Sequence, residues 1–174
     1  MSTRERWAVI PEWNGFYEAS DLGHIRSVDR WVPSNTGRRY QRGALMHPSP
    51  HGKGGKYLAV KLSYLGRTRV RKVHVLVAEA FLGPCPEGME VCHKNGDGHD
   101  NRLENLEYGT RSKNVLDTVK HGTHANASKD RCPYGHRYTA ANTTKTSGRR
   151  HCRTCHRLRE KARRAGLRSD YYLY

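Results

Sequence analysis

The segment EVCHKNGDGHDNRLENLEYGTRSKN, residues 90–114, holds His93, Asn105 and Asn114 at a spacing that metal-dependent phosphodiester hydrolysis can use. That reaction needs a water deprotonated and aimed in line at phosphorus, and a leaving oxygen whose growing charge is stabilised. A neutral histidine beside a bound divalent cation does the first two jobs, and the cation does the third. Each residue alone is ordinary turn or surface material. Their joint spacing is not explained that way.

The elements that must position these groups are legible in the same stretch. Glu90, Val91 and Cys92 have strand character and NGDGHDN supplies turn residues, so the imidazole should sit at a strand end facing a loop. Leu103, Leu106 and Tyr108 mark a second short strand. From Thr110 the pattern becomes helical. Thr110 or Ser112 can cap, and Val115, Leu116 and Val119 recur at helical spacing. Asn114 then falls in the first turn and can point back toward His93.

At these residues the chain resembles the HNH nucleases, in particular their phage and intron-encoded homing endonuclease branch. The resemblance implies a ββα unit around one metal ion, with His93 as general base, Asn105 as the brace that holds the loop and orients the base, and Asn114 as a metal ligand. One position departs from the pattern. The residue before the base is often an Asp that also binds the metal, and here it is Cys92. A thiolate matches Mg²⁺ poorly and suits Zn²⁺ or another transition metal better. Three readings are open: Cys92 ligates a softer metal, it is a bystander while Asp97 or Asp100 supplies oxygen, or the site is weakened. The catalytic cation is accordingly Mg²⁺ or Mn²⁺, or a softer transition metal.

Upstream, Tyr57, Leu58, Val60 and Leu62 form a β-rich run that turns at Tyr64-Leu65-Gly66, after which Thr68 and Val70 alternate with Arg67, Arg69 and Arg71. One face of this hairpin should be cationic while the other packs, which makes Arg67, Arg69, Arg71 and Lys72 candidate DNA contacts. Leu76, Val77, Ala80 and Phe81 then take helical spacing up to Gly83-Pro84. VHVLVAEAF extends the family resemblance, and its His74 is expected mainly to cap or pack. Nearer the N-terminus, Tyr17 to Ser20 and Ile25 to Val28 read as two strands joined through Asp21-Leu22-Gly23-His24. With Trp7 and Trp13 this segment resembles the module that often precedes the core in phage homing endonucleases, which implies a part in holding DNA. Residues 33–56, rich in Gly, Pro, Ser and Arg, read as a loop or flexible connector.

The third segment carries a signal of its own. Cys132 and His136 are followed after a polar interval by Cys152 and Cys155, two close pairs of soft ligands in the layout of a tetrahedral structural Zn²⁺ site. The non-cysteine ligand is best placed at His136, with His124, His151 and His156 as substitutes. HRLREKARRAG behind it is helical with few apolar residues, so it should depend on metal and DNA for order. The segment loosely resembles the zinc-binding tail of actinophage HNH proteins.

Charge agrees with a polyanionic partner. The chain has 32 Lys+Arg against 16 Asp+Glu, a formal net charge of +16. Residues 131–174 hold 12 basic and 2 acidic side chains, so the tail carries much of the excess. Arg149, Arg150, Arg153 and Arg157 are the candidate DNA contacts there. With 35% hydrophobic residues and a mean hydropathy of −0.92, one large core is not expected. No stretch is apolar enough to span a membrane and no signal-peptide core is evident, so a cytoplasmic protein is expected. Five cysteines suit a reducing compartment better than a disulfide framework.

The combined expectation is an α+β chain in three parts: residues 1–56 as a β-rich DNA-holding segment and connector, 57–122 as a small ββα-metal nuclease core with its preceding hairpin and helix, and 123–174 as a basic zinc module. The function expected is a metal-dependent endonuclease acting on double-stranded DNA, with a phage packaging partner admissible and no membrane. A single core nicks one strand unless two chains pair. The alternatives are a noncatalytic DNA-binding protein on the same scaffold and an RNA-directed module.

Overall fold

Short strands dominate the computed structural model, which describes residues 4–64 and 66–167. Leu65 of the expected hairpin turn, and residues 1–3 and 168–174 at the ends of the outer segments, lie outside the described residues. The chain divides into two units, Met1–His121 and Gly122–Tyr174.

In the first unit, β1 (Trp7–Val9), β2 (Tyr17–Ser20) and β3 (Ile25–Ser27) form an antiparallel sheet in the order β1-β2-β3. The β2–β3 turn passes Gly23 at φ 90°, where a Cβ would come within 3.0 Å of the Asn101 carbonyl. The Leu103 N–H donates to the Asp21 carbonyl at 2.9 Å, so this turn seats the loop that follows His93.

The stretch expected to be a flexible connector is largely ordered instead. β4 (Arg30–Ser34) and β5 (Gly37–Gln41) make a hairpin with Trp31 edge-on to Tyr40, and β6 (Ser49–His51) adds a strand to the next sheet. Turn-rich composition hid these strands because they are short and mostly exposed, leaving no buried alternation to read.

β7 (Tyr57–Tyr64) and β8 (Arg67–Lys72) complete a sheet in the order β6-β7-β8. α1 (Val73–Leu82) follows directly and stops at Gly83, whose φ of 83° favours glycine. Its Val73, Leu76 and Val77 are fully buried. They join Ile10, Trp13, Tyr17, Ile25, Val60, Leu62 and Leu106 in one core. Each such aliphatic side chain contributes about 1.5–3 kcal/mol on burial. Residues from both 1–56 and 57–122 build this core, so the two segments fold around shared apolar surface.

β9 (Met89–His93) pairs antiparallel with β10 (Leu106–Thr110), and α2 (Arg111–Lys120) starts where the Thr110 hydroxyl accepts from the Lys113 N–H at 3.3 Å. The register sets His93 opposite Leu106, Cys92 opposite Glu107 and Glu90 opposite Gly109. Strand alternation therefore turns Glu90 and Cys92 to one face of the ribbon and His93 to the other. α2 covers the Cys92 face, where Lys113 pairs with Glu107 at 2.6 Å. α1 lies on the His93 face, where the Tyr108 hydroxyl donates to the Gly83 carbonyl at 2.6 Å. The outer side of α2 leaves Val115, Leu116 and Val119 exposed.

The second unit is a hairpin, β11 (Thr143–Thr146) and β12 (Arg149–Cys152), followed by α3 (Arg153–Arg164). Ser147 and Gly148 turn it, both at positive φ, as a two-residue hairpin turn requires. Its core is the three cysteines with Tyr134, Tyr138 and Leu158 packed on them. So small an apolar cluster cannot order the unit unaided. No helix among the described residues is long and apolar enough to cross a membrane.

Candidate active site and metal centre

His93 ends β9 half-buried among rings. Tyr57 stacks on it at 6.1 Å with 24° between planes, and His74 stands edge-on at 4.7 Å. Nε2 lies 3.4 Å from the Asn101 Oδ1. The Asn101 Nδ2 donates to the His99 carbonyl at 3.1 Å, and a carbonyl can only accept, so the amide orientation is fixed and Oδ1 faces the imidazole. His93 accordingly carries its proton on Nε2 and keeps a lone pair on Nδ1. Burial pushes its pKa below the ordinary histidine value, with Lys56 acting in the same direction and Asn101, Asp97 and Asp100 opposing.

Asn105 sits beneath the loop. Its Nδ2 donates to the Asn95 Oδ1 at 3.0 Å and the Asp100 carbonyl at 2.8 Å, while its Oδ1 accepts from the Asn95 N–H at 3.0 Å. Three bonds from one buried amide fasten both arms of the loop. Asp97 and Asp100 are engaged in the same structure. Asp97 accepts from the His99 N–H at 2.9 Å, and Asp100 is gripped by Arg102 at 2.8 Å, which with other contacts holds its carboxyl at about 2.

Asn114 does not point back toward His93 as expected but makes its contact on the other face of the ribbon, where its Nδ2 donates to the Glu90 Oε1 at 2.6 Å. Cys92 lies on that face, 2% exposed, and its thiol points to the Glu90 carbonyl at 3.7 Å. Burial first, then Glu90 and Glu107, push this thiol upward, so it stays protonated and is a poor ligand for any hard cation. The carboxylate beside Asn114 is that of Glu90, while Asp97 and Asp100 are engaged within the loop. Sequence reading passed over Glu90 because its part depends on strand register, which places residue i−2 on the face of Cys92.

The hairpin arginines do not form the separate cationic face expected of them. Arg71 opposes Val60, Arg69 opposes Leu62 and Arg67 opposes Tyr64, so all three project from the core's own face. β8 is an edge strand, and beneath it that face runs past the end of the core. Arg71 is tied to Glu79 at 2.8 Å, which removes it from the free cations. Arg67 and Arg69 instead line a recess with Glu12, Trp13 and Tyr64. Lys72 caps this strand with its Nζ 4.7 Å from the Tyr57 ring centroid.

In the second unit, donor atoms of Cys132, His136, Cys152 and Cys155 all lie within 4.8 Å of one another. The Cys132 N–H donates to the His136 carbonyl at 2.9 Å, closing the knuckle around Gly135 at φ 79°. Asn142 accepts from the Thr154 N–H and donates to the Arg137 carbonyl, fastening the hairpin to the start of α3. Burial and the neighbouring sulfurs push the Cys155 thiol up to about 12. Three cysteine sulfurs and one imidazole gathered this closely are a Cys₃His donor set that tetrahedral zinc accepts, displacing the thiol protons. His124, His151 and His156 lie outside this donor group. Beside it a cavity of about 830 Å³ is lined by Tyr134, Tyr138, Arg150, Arg153, Arg157 and Arg159 among others. Arg149 is exposed at the start of β12.

Known proteins resemble this chain in sequence and in fold. Residues 71–116 match the family described as HNH endonuclease, and residues 5–63 match the NUMOD4 motif. DNA endonuclease I-HmuI of Bacillus phage SP01 is 32% identical over 123 residues, which cover 71% of this chain and 62% of that one. An HNH endonuclease of Acanthamoeba polyphaga mimivirus is 35% identical over 120 residues, covering 66% of this chain and 26% of that one. The chain thus spans less than two thirds of either relative's length. A solved structure of DNA binding and cleavage by the HNH homing endonuclease I-HmuI superposes with a TM-score of 0.53 at 26% identity, covering 68% of this chain and 60% of that one. Residues 71–116 belong to the HNH endonuclease family, joined in one chain to a NUMOD4 motif and a Cys₃His module.

Proposed function

We propose that the protein is a metal-dependent DNA endonuclease in which His93 is the general base. The observation that carries the reading is the His93–Asn101 contact, which leaves Nδ1 as the basic atom. Nδ1 takes the proton of the attacking water, and Asn101 and Tyr57 keep the ring from turning away. Asn105 braces the loop that carries Asn101. Glu90 and the Asn114 Oδ1 would hold a hard cation, Mg²⁺ or Mn²⁺, on the face of the ribbon away from His93, and Cys92 packs without ligating. Such an ion would supply charge stabilisation to the leaving 3′-oxygen of a phosphate reached around the edge of the ribbon, and the product would keep a 5′-phosphate. Cys132, His136, Cys152 and Cys155 hold a structural Zn²⁺. Lys72, Arg67, Arg69, Arg149, Arg150, Arg153 and Arg157 contact the DNA backbone.

The partner in this reading is double-stranded DNA. Binding and cleavage of DNA by the related I-HmuI support it, and the sources of the relatives support a phage or mobile-element setting. One core of this kind cuts one strand. The test is cleavage of supercoiled plasmid in Mg²⁺, Mn²⁺, Ni²⁺ and Zn²⁺ in turn. His93→Ala should lower the rate about 100-fold or more while DNA binding persists. Cleavage by that variant at the wild-type rate sinks the mechanism. Cys92, standing where the family often has a metal-binding Asp, favours a second reading, a noncatalytic DNA-binding protein. Tight binding without cleavage in all four cations would select it.

A further inference from the structure

Most basic side chains around the β9–β10 ribbon already have partners. Arg71 is held by Glu79, Arg102 by Asp100 and Glu104, Lys113 by Glu107, and Lys94 donates to the Glu104 carbonyl. Lys56 and Lys72 differ. Their ammonium groups converge on one ring, with Nζ at 5.4 Å and 4.7 Å from the Tyr57 centroid. That ring is the one stacked on His93. Neither lysine has an acidic partner among the described residues.

The convergence is built by the fold. Lys56 immediately precedes β7, and Lys72 ends β8 opposite Ala59 of β7. The loop after His93 closes over Lys56, since the His99 Nε2 donates to the Gly55 carbonyl at 2.7 Å. At Gly98 any Cβ would run into the Lys56 carbonyl oxygen. Both ammonium charges stand at the ring that stacks on His93, and the ring's quadrupole offsets each only in part, so an anion beside that ring would be favoured.

We propose that Lys56 and Lys72 form a phosphate site that grips the non-bridging oxygens of the scissile phosphodiester next to His93. The inference rests on the reading of His93 as the base. A lysine ammonium is a compact point charge with three rotatable donors, which suits a phosphate whose charge spreads during displacement. The two lysines thereby supply, from the protein, stabilisation that the buried Cys92 thiol cannot lend to the site. Nothing covalent passes through them. They are catalytic by contact with the reacting group, whereas a lysine touching the backbone elsewhere would only tighten binding.

The test is single-turnover plasmid cleavage at saturating protein, with the DNA dissociation constant measured alongside, for Lys56→Met, Lys72→Met, Lys56→Arg, Lys72→Arg and the comparators Arg149→Met and His93→Ala. Each methionine variant should lose about 100-fold in the saturated rate with at most a few-fold change in dissociation constant. The arginine variants, which keep the charge, should recover most of that rate. Arg149→Met, a backbone contact away from His93, should raise the dissociation constant more than either methionine variant at Lys56 or Lys72 does. Inorganic phosphate should inhibit the wild type only weakly, because it lacks the rest of the duplex; inhibition as tight as DNA binding would mean a free-phosphate site and overturn the proposal. So would methionine variants that change binding alone, or nothing. If His93→Ala is inactive while Lys56→Met and Lys72→Met cut normally, only this inference fails. If His93→Ala cuts normally, the reading beneath it fails as well. Lys→Gln variants with wild-type melting temperatures decide the case where a methionine variant misfolds.

Discussion

The His74 ring stands edge-on to the His93 ring, with centroids 4.7 Å apart and planes at 75°. His74 is 4% exposed, its Nδ1 has no hydrogen-bond partner, and burial with the neighbouring His93 and Lys72 pushes it from 6.5 down to about 3. It is thus a neutral ring packed behind the base, offering shape and no charge. One consequence concerns stability and a second concerns rate.

For stability, the folded pKa of His74 lies below the unfolded one, so acid favours the unfolded chain. The stabilisation is complete above 6.5 and is lost progressively as pH falls toward about 3. Each pH unit in that window costs about 1.4 kcal/mol for one proton. Between pH 7 and pH 5 the wild type should lose about 2 kcal/mol more than His74→Phe in urea titrations. Parallel losses in the two proteins would show that His74 is not buried as a neutral group.

For rate, the neutral form of His93 is the active one, and its pKa is lowered chiefly by burial. Cleavage should therefore hold its full rate at neutral pH and decline only on the acid side of the ordinary histidine value. Single-turnover rates from pH 5 to 8 locate this limb. An acid limb centred above 6.5 would mean that the imidazole is exposed during the reaction.

Asn105 gives a test of the bonds that brace the loop. Asn105→Asp keeps the shape but turns two donors into acceptors that face the Asn95 Oδ1 and the Asp100 carbonyl. It should be at least as damaging as Asn105→Ala. Either should cost about 2–3 kcal/mol, the scale of a buried polar network left unsatisfied. Hydrogen exchange at the amides of residues 94–104 should accelerate in both, and an aspartate variant with native protection would contradict the bonding described.

The ribbon, α1 and α2 were legible in sequence from their apolar patterns and from stops and caps such as Gly83 and Thr110, although the second ribbon strand starts at Leu106 and Leu103 lies instead in a 3-10 turn, Leu103–Asn105, that the loop's bonds to Asn105 impose. β4, β5 and β6 were not, since exposed strands leave no alternation behind. The cysteine spacing pointed to the second unit's donor cluster, whose three sulfurs are joined by His136. Glu90, Asn101, Lys56 and Tyr57 escaped notice for a common reason. Their relation to His93 or Asn114 arises from strand register and from a loop closing on a distant segment, neither of which local spacing encodes. The same holds for Arg71, whose engagement with Glu79 depends on α1 packing beside β8.

Metal removal should separate the two units. Chelation with a zinc-selective agent should unfold residues of the second unit, whose small core is left without the ion that joins its donors, and leave the first unit's core intact. Cys155→Ser should do the same without chelator. Circular dichroism and hydrogen exchange would show helix loss confined to Arg153–Arg164. Loss of protection in α1 under the same treatment would mean that the units do not fold independently.

The catalytic cation's preference turns on which side chains face Asn114. If Glu90 supplies the oxygen, Glu90→Gln should raise the Mn²⁺ concentration for half-maximal cleavage about tenfold or more, the usual scale for losing a metal-site carboxylate. Cys92→Ala should leave it almost unchanged, because the thiol is protonated and buried. Cys92→Asp adds a second carboxylate on the same ribbon face and should lower the Mg²⁺ requirement, rescuing Glu90→Gln in the double variant. Titrating Mg²⁺ and Mn²⁺ against the wild type and the four variants separates the possibilities. A thiol ligand would reverse the order: Cys92→Ala would then be the variant that loses the metal, with Zn²⁺ or Ni²⁺ the better cofactor for the wild type.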